Sequence, residues 1–530
     1  MNKITLLLLL ALLFACKKEK TNIPNNINEE KIAEQNTENI SNIKIDSVYL
    51  ETANDTVKAL YIKNELQLLW KESENRNDLI KVIKNIKKEG LNPLEYNINN
   101  LKKWNSNENT LSIEDKVERD LLFSSSFVSF ISAVAKGKLN PKELYNNWDL
   151  HKKHHFACSK GLTAIKNKKI ATYISSLKPK HKAYASLVES LEILEKLPNR
   201  KFKELSIVKK IEPLDTVAIL SEIKERLNYW GDLSALDSVP TNILDEKTIK
   251  AVEHFQTRHG LIVDGIIGFN TLKALNKDKE YRIKQTISNL ERWRWYPLNF
   301  DNEYLLVNLP AYSLEYIKDD TTIESRRVVV GKKSRKTPVL ISKLSNFVFN
   351  PTWTVPPTIV KKDLTPSATR NRSYFSRTRI TIYDRSSGAV VSPYNWNPEN
   401  AKNYRYVQKT GYNNSLGLVK FNFKNNHLVF LHDTNHRDYF RLENKALSSG
   451  CVRIENPLEL AISILKNQGE EEPKETVDDL ITKGKYTSFP VKKRVGIYLF
   501  YWTNWKSKNG LEFREDIYNY DEELYELLKG

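Results

Sequence analysis

The sequence predicts an α+β multidomain chain: an all-α N-terminal part, then a small three-helix unit, then a β-rich C-terminal domain. Three observations predict it. From about Ser47 to Pro198, apolar residues recur every three or four positions, the period of helices that bury one face. Between Asp215 and Asn276, helical stripes flank a glycine-punctuated turn. Beyond about Tyr304 the pattern changes to alternation and β-branched runs. The 530 residues suit roughly three to four domains of about 150 residues. An apolar fraction of 40% and an aromatic fraction of 10% can fill real cores, which excludes wholesale disorder. Three cysteines exclude a disulfide-stapled scaffold and a Cys-rich zinc protein.

At the start, Lys3 precedes an apolar run from Ile4 to Ala15, broken only by Thr5. About twelve residues is too short for a hydrocarbon core of ~30 Å and suits the centre of a signal peptide. Leu13-Phe14-Ala15-Cys16 resembles the lipobox of bacterial lipoproteins, which implies cleavage before Cys16 and acylation of its thiol. Residues 1–16 are therefore expected to be a lipoprotein signal peptide. The mature chain is expected to be periplasmic and held to a membrane by its N-terminal lipid, with the outer membrane as the anchor. Residues 17–46 are polar, rich in Asn, Lys and Glu, and without periodicity, as in a flexible tether.

Lysine and arginine number 83 against 65 aspartates and glutamates, a net charge of +18. Export removes nucleic acid from the expected partners. Anionic headgroups and the carboxylate-bearing cell wall remain as polyanions. Charge alone decides nothing between them.

The all-α scaffold is expected over residues 47–212. Leu60, Asn64 and Leu68 share one helical face, and Leu79, Val82, Ile83 and Ile86 recur at three- and four-residue spacing. Gly90 closes that helix, with Pro93 just beyond. Phe123 to Ala135 is apolar nearly all round and is expected at the buried centre. His151, His154, His155 and Cys158 fall at helical spacing, a set that zinc could use. Their neighbours are lysines and no carboxylate is near, so surface or ordinary packing is the expectation and no metal site is assigned.

Residues 213–278 form the next unit. Ile219, Ile223 and Leu227 make one stripe that Gly231 ends, and Asp245 caps a helix carrying Ile249, Val252 and Phe255. Gly260 suits a helix C-cap, and Asp264-Gly265 a tight turn before Thr271, Leu272 and Leu275. With Phe255-Gln256 and Asp264-Gly265 in these places, the segment resembles the three-helix peptidoglycan-binding domain.

The last unit, residues 279–530, reads as strands at Tyr304–Leu309, Arg327–Val330, Leu416–Phe423, Leu428–Leu431 and Val495–Tyr501. The strand at Leu428–Leu431 delivers His432-Asp433-Thr434, and nineteen residues after the histidine stands Cys451 in Ser448-Ser449-Gly450-Cys451-Val452-Arg453. Attack on an unactivated amide needs a nucleophile, a proton acceptor and a donor for the oxyanion. A thiol of pKa ~8.5 paired with histidine becomes a thiolate near neutrality. Cys451 and His432 are the pair these residue types point to. Gly450 lets backbone approach a substrate, so N–H groups around Gly450 and Cys451 are expected to hold the oxyanion. The carbonyl of Asp433 is the expected acceptor for the other ring nitrogen of His432.

His432 and the run Ser448 to Arg453 resemble the active-site signature of L,D-transpeptidases, the YkuD-type catalytic domain. Asn289 to Trp295, Asn350-Pro351-Thr352-Trp353-Thr354-Val355-Pro356 and Tyr501 to Trp505 resemble its large branch, with scaffold, peptidoglycan-binding and catalytic domains in that order. The resemblance implies Cys451 as nucleophile and His432 as base. It implies that Arg453 binds a substrate carboxylate or braces the loop, and that Ser448 supports the loop. Ser449 fills a place where many relatives carry histidine, and its role stays open. Trp502 and Trp505 stand three apart; the resemblance would put them along the substrate groove, while core filling explains tryptophan equally well.

The stretch of about 357–411, with Arg370, Arg372, Arg377 and Arg379, is too long for a plain connection and resembles the capping lid of that branch. The activity so implied is 3→3 cross-linking of peptidoglycan through a cysteine thioester, with donor and acceptor stem peptides as partners. It needs no metal or organic cofactor, and carbapenems are expected to acylate the thiol. A monomer is expected, with no disulfide between Cys158 and Cys451. The rival outcomes are transfer to water (an L,D-carboxypeptidase), to a free D-amino acid or to a protein lysine. The rival of another class is a non-catalytic peptidoglycan-binding lipoprotein.

Overall fold

The computed structural model describes residues 43–106, 111–150, 158–234 and 241–529. The signal segment with Cys16, the tether up to residue 42, and His151, His154 and His155 lie outside these residues. The organisation is the α+β multidomain one predicted, with a helical N-terminal part, a small helical unit and a strand-rich C-terminal domain. Among the described residues no helix is long and apolar enough to cross a membrane.

The N-terminal core gathers around the helix Ile113–Lys136, whose Phe123, Phe127, Phe130 and Ile131 are buried as its sequence requires. That helix also buries a carboxylate. Asp120 accepts from the N–H groups of Leu69 and Trp70 at 2.9 and 2.7 Å and from the Tyr61 hydroxyl at 2.6 Å. Burial raises the Asp120 carboxyl above its ordinary range against those three bonds. The stripe Leu60, Asn64 and Leu68 is buried, but not on one helix. The helix Asp55–Lys63 stops at Asn64, and Glu65 and Leu66 take positive φ. Gly90, at φ 76°, ends the next helical segment as expected.

The three-helix unit has its own core of Ile223, Leu227, Val252, Phe255 and Leu272. Asp245 caps the helix Glu246–His259 by accepting from Thr248 N–H at 2.8 Å. Gln256 explains the Asp264-Gly265 turn: its Oε1 accepts from both turn N–H groups, at 3.1 and 3.0 Å.

The C-terminal domain is built on strands β1 (Trp148–Asp149), β2 (Glu303–Asn308), β3 (Ser313–Lys318), β4 (Thr321–Gly331) and β5 (Val339–Phe349). After an insertion holding β6 (Trp353–Thr354), β7 (Ile380–Asp384), β8 (Val390–Val391) and β9 (Tyr404–Gln408) come β10 (Val419–Phe423), β11 (Leu431–His432), β12 (Ala446–Ser448) and β13 (Val452–Ile454). β14 (Thr487–Pro490), β15 (Gly496–Phe500), β16 (Asn504–Ser507) and β17 (Gly510–Phe513) complete the set. The order runs β5-β10-β11-β13-β4-β3-β2-β15, and β15 pairs β5 again, so eight strands close into a ring. A closed ring has no free edge, and its inner face is filled by residues such as Leu305, Val328, Phe421 and Val452.

β5, the strand on which the ring closes, and β3 were not legible in the sequence. Val339–Phe349 breaks its alternation with Ser342, Lys343 and Ser345, because its two halves pair different neighbours. The predicted strand Leu428–Leu431 is also corrected. Leu428 has φ 55°, and only Leu431 and His432 are extended into the ladder.

Packing crosses the sequence boundaries. Trp148, in the predicted scaffold, supplies β1, which pairs parallel with Val339 and Leu340 of β5. The helix Lys182–Lys196 packs on the helix Lys279–Trp295, and its Tyr184, Leu187 and Leu191 belong to the C-terminal core. The helix Lys279–Trp295 carries a buried polar face that knits the domain together. Asn289 Oδ1 accepts from Thr503 N–H at 3.0 Å, its Nδ2 donates to Thr503 Oγ1 at 2.7 Å, and Arg292 pairs with Asp521.

Candidate active site

β10, β11 and β13 are neighbours, and their register sets one row across the sheet. Lys420 stands opposite His432, and His432 opposite Arg453. Phe421, Leu431 and Val452 point into the ring, so alternation turns Lys420, His432 and Arg453 to its outer face. Cys451 lies one step before Val452, on the same face as Arg453 and opposite Phe430, whose carbonyl accepts from Val452 N–H at 3.2 Å. His432 and Cys451 are thus diagonal neighbours on adjacent strands, a separation of roughly 7–8 Å between backbones that two side chains can bridge. The register thus sets the two residues of the predicted pair on adjacent strands.

The tautomer of His432 follows from its neighbour. Nδ1 bonds the Asp433 carbonyl, which can only accept, so Nδ1 carries the proton and Nε2 is left to receive one. Asp433 is held in turn. Its N–H donates to the Val419 carbonyl at 2.9 Å, and its carboxylate accepts from Leu418 N–H at 2.8 Å and from Arg437 at 2.6 Å. A side chain at residue 417 would strike that carboxylate at 2.1 Å, which is why glycine stands there, at φ 58°.

Burial depresses the His432 imidazole to about 3, assisted by the flanking Arg453 and Lys420 cations. Burial also raises the Cys451 thiol above its ordinary value, against the Phe430 N–H bonded to the sulfur and the charges of Lys420 and Arg453. Both shifts favour the neutral thiol and the neutral imidazole, opposite in direction to the thiolate expected from the residue types. Desolvation outweighs the cations. Alkylation of Cys451 by iodoacetamide is expected to be slow at pH 7 and to rise only above the ordinary thiol range. A plateau already reached at pH 6 would show an ion pair instead.

The loop that carries Cys451 is braced from within. Ser448 Oγ donates to the Cys451 carbonyl at 2.6 Å and accepts from Gly450 N–H at 3.0 Å. That second bond corrects one expectation: the Gly450 N–H is occupied and does not face a substrate. Gly450 is required instead by its φ of 120°. Thr337 Oγ1 donates to the Gly450 carbonyl at 2.9 Å and accepts from Gly331 N–H at 2.8 Å. Tyr518 closes this support, donating to the Gly331 carbonyl at 2.7 Å.

Ser449 is exposed, and its Oγ accepts from Arg335 at 2.8 Å. The same guanidinium pairs with Asp363 in the insertion at 2.5 Å. One arginine therefore ties the Cys451 loop to the insertion. The insertion is a folded unit with its own sheet, ordered β6-β9-β7-β8, over a core of Leu364, Phe375, Ile382, Trp396 and Tyr406. Two of its arginines are spent internally: Arg372 donates to the Pro393 and Tyr394 carbonyls and Arg379 to that of Thr410.

Trp502 and Trp505 lie elsewhere. Trp502 follows β15, which is separated from β13 by three strands in either direction around the ring, and packs edge-on against Trp293 at 5.5 Å. Trp505 sits under Arg514 at 4.6 Å. Both are core and interface filling rather than walls beside the thiol. Cys158, a free thiol like Cys451, starts a helix in the N-terminal part. Among the described residues no cluster of His, Cys, Asp and Glu could hold a metal.

Sequence reasoning missed Lys420, Arg335 and Thr337. Lys420 had a signal: Val419-Lys420-Phe421-Asn422-Phe423 alternates strictly, so its polar residues mark an outward face beside the histidine strand. Arg335 and Thr337 gave none, because they reach the loop from a connection more than one hundred residues away.

Residues 302–477 match the family model described as the L,D-transpeptidase catalytic domain. The C-terminal part of the chain is thus similar to L,D-transpeptidase catalytic domains. Residues 55–191 match a scaffold domain, and residues 218–275 match a "Putative peptidoglycan binding domain". A Haemophilus influenzae protein named "Putative L,D-transpeptidase" is 37% identical over 326 residues, 59% of this chain and 65% of that protein. The chain thus spans somewhat less than two thirds of that curated relative. Among solved structures, an L,D-transpeptidase from Stackebrandtia nassauensis is 12% identical over 55% of this chain and 94% of its own, with a TM-score of 0.21. One from Xylanimonas cellulosilytica is 13% identical over 56% and 100%, with a TM-score of 0.17. Cys451, His432 and the Arg453 row all fall inside the L,D-transpeptidase domain match.

Proposed function

We propose that the L,D-transpeptidase domain forms 3→3 cross-links in peptidoglycan through a thioester on Cys451. The observation that carries this is the diagonal placement of Cys451 and His432 on adjacent strands, with Nδ1 of the histidine fixed by Asp433. Nε2 takes the thiol proton as sulfur attacks the carbonyl between the third residue of a tetrapeptide stem and its terminal D-alanine. The Cys451 N–H holds the oxyanion. The C–N bond breaks, the leaving amine receives the proton from His432, and D-alanine departs. A side-chain amine on a second stem then attacks the thioester, passes a proton to His432 and restores the thiol. Arg453 meets a substrate carboxylate. The insertion, held over the loop through Arg335, keeps water from the thioester.

The three-helix unit supports peptidoglycan as the surface on which this happens. The apolar run before Cys16 supports export and lipid attachment, with the body facing the periplasm from the outer membrane. Carbapenems would acylate the same thiol.

The test is incubation of the full chain with disaccharide-tetrapeptide, reading D-alanine and products by mass spectrometry. D-alanine with a tetrapeptide–tripeptide dimer is the expected result. Disaccharide-tripeptide in place of dimer would mean an L,D-carboxypeptidase. Release of neither would leave a wall-binding lipoprotein.

A further inference from the structure

The row Lys420–His432–Arg453 puts a cation on each side of the imaidazole, and among the described residues neither cation pairs with a carboxylate. Lys420 is half-buried, and its ammonium lies over the Phe430 ring, 3.9 Å from the centroid. Phe430 faces Cys451 across the ladder, and its ring meets His432 edge-on at 5.5 Å. The ammonium is thus held over the residue opposite the sulfur, on the outer face, where a substrate must lie. On the other side the Arg453 Nε and Nη1 are buried without hydrogen-bond partners, its guanidinium resting 5.8 Å from the Tyr439 ring. Withdrawing two cations from water without a counter-charge is costly, and an anionic ligand relieves that cost.

Acyl transfer as read above supplies such an anion at a fixed place. When the scissile bond joins the last two residues of a peptide, the leaving residue ends in a carboxylate only two bonds beyond the scissile nitrogen. We propose that Lys420 is the residue that recognises the donor's free chain end: its ammonium receives the carboxylate of the terminal residue while Cys451 attacks the preceding carbonyl. A donor extended or capped at that end would leave the ammonium unpaired, so the site selects stems with a free terminus directly after the scissile bond. This inference rests on the proposed acyl transfer and adds a specificity determinant to it.

The experiment compares disaccharide-tetrapeptide with the same compound carrying a terminal D-alaninamide, for the full chain and for Lys420→Gln and Lys420→Arg. The unaltered protein is expected to prefer the acid by about 10- to 100-fold in kcat/KM, mostly through KM, as for one charge-assisted hydrogen bond. Lys420→Gln is expected to lose most of that preference while still turning over the amide, and Lys420→Arg to keep most of it. A merely structural lysine would slow both donors alike. An unchanged acid-to-amide ratio in Lys420→Gln overturns the inference and leaves the acyl transfer standing. Failure of the unaltered protein to turn over either donor overturns both.

Discussion

Cys451→Ala is expected to release no D-alanine and form no dimer from disaccharide-tetrapeptide, a loss on the order of 10⁴-fold or more in kcat. Among the described residues, none in the row beside Cys451 can replace the sulfur. Of the row beside it, Lys420 and Arg453 are cations without a free electron pair, and the one free nitrogen of His432, Nε2, would form an acyl-imidazole with no base left to serve it. The alanine fits without rearrangement, because the loop is held by Ser448, Thr337 and Gly450 through bonds that the thiol does not enter. The measurement is product analysis alongside circular dichroism. Retained dimer formation by a folded Cys451→Ala protein would end the thioester reading. His432→Asn is expected to fall by about 10²- to 10⁴-fold, since a neutral thiol cannot attack without a base.

The largest stability effect is expected at Arg292. Its guanidinium is fully buried, pairs with Asp521, and leans toward the Tyr501 ring at 5.2 Å. Asp521 also accepts from Thr503 Oγ1 at 2.7 Å and Gln285 Nε2 at 3.3 Å, and lies close to Asp516, a second carboxylate. Burial and Asp516 raise the Asp521 carboxyl even with Arg292 present. Arg292→Met would remove the cation and leave two buried carboxylates facing each other, a loss of about 3–5 kcal/mol. The urea midpoint of the C-terminal domain, followed by tryptophan fluorescence, is the readout. The deficit should shrink as pH falls, because a group with a raised folded pKa contributes stability that is present at low pH and lost as pH rises. Adding Asp521→Asn to Arg292→Met should recover part of it. A midpoint equal to that of the unaltered protein would show that the pair does not hold the domain together.

How much of this was legible depends on the distance over which each feature is specified. Cys451, His432 and the Asp433 carbonyl are set by short runs whose residue types name the chemistry; the structure bonds His432 to the Asp433 carbonyl and places Cys451 on the adjacent strand. Helix ends at Gly90, Asp245 and Gly260 were equally local. β5 was hidden because a strand whose halves serve different neighbours obeys no single alternation. The upward shift of the thiol was not legible because burial is a property of the assembled site. The Gly450 N–H went to Ser448 rather than to a substrate, a choice between two nearby acceptors that composition cannot rank.

β1 has a consequence for how the molecule comes into being. Trp148 is synthesised early, yet it pairs with Val339 and packs against Trp295 and Tyr520, at 5.4 and 5.8 Å. At about 5–20 residues per second, the roughly 190 residues from Trp148 to its strand partner take on the order of ten seconds or more to make. Throughout that interval the indole lacks its strand partner and the Trp295 and Tyr520 rings. Any carrier that escorts the nascent polypeptide would find its handhold there, and would have to let go when the C-terminal residues arrive.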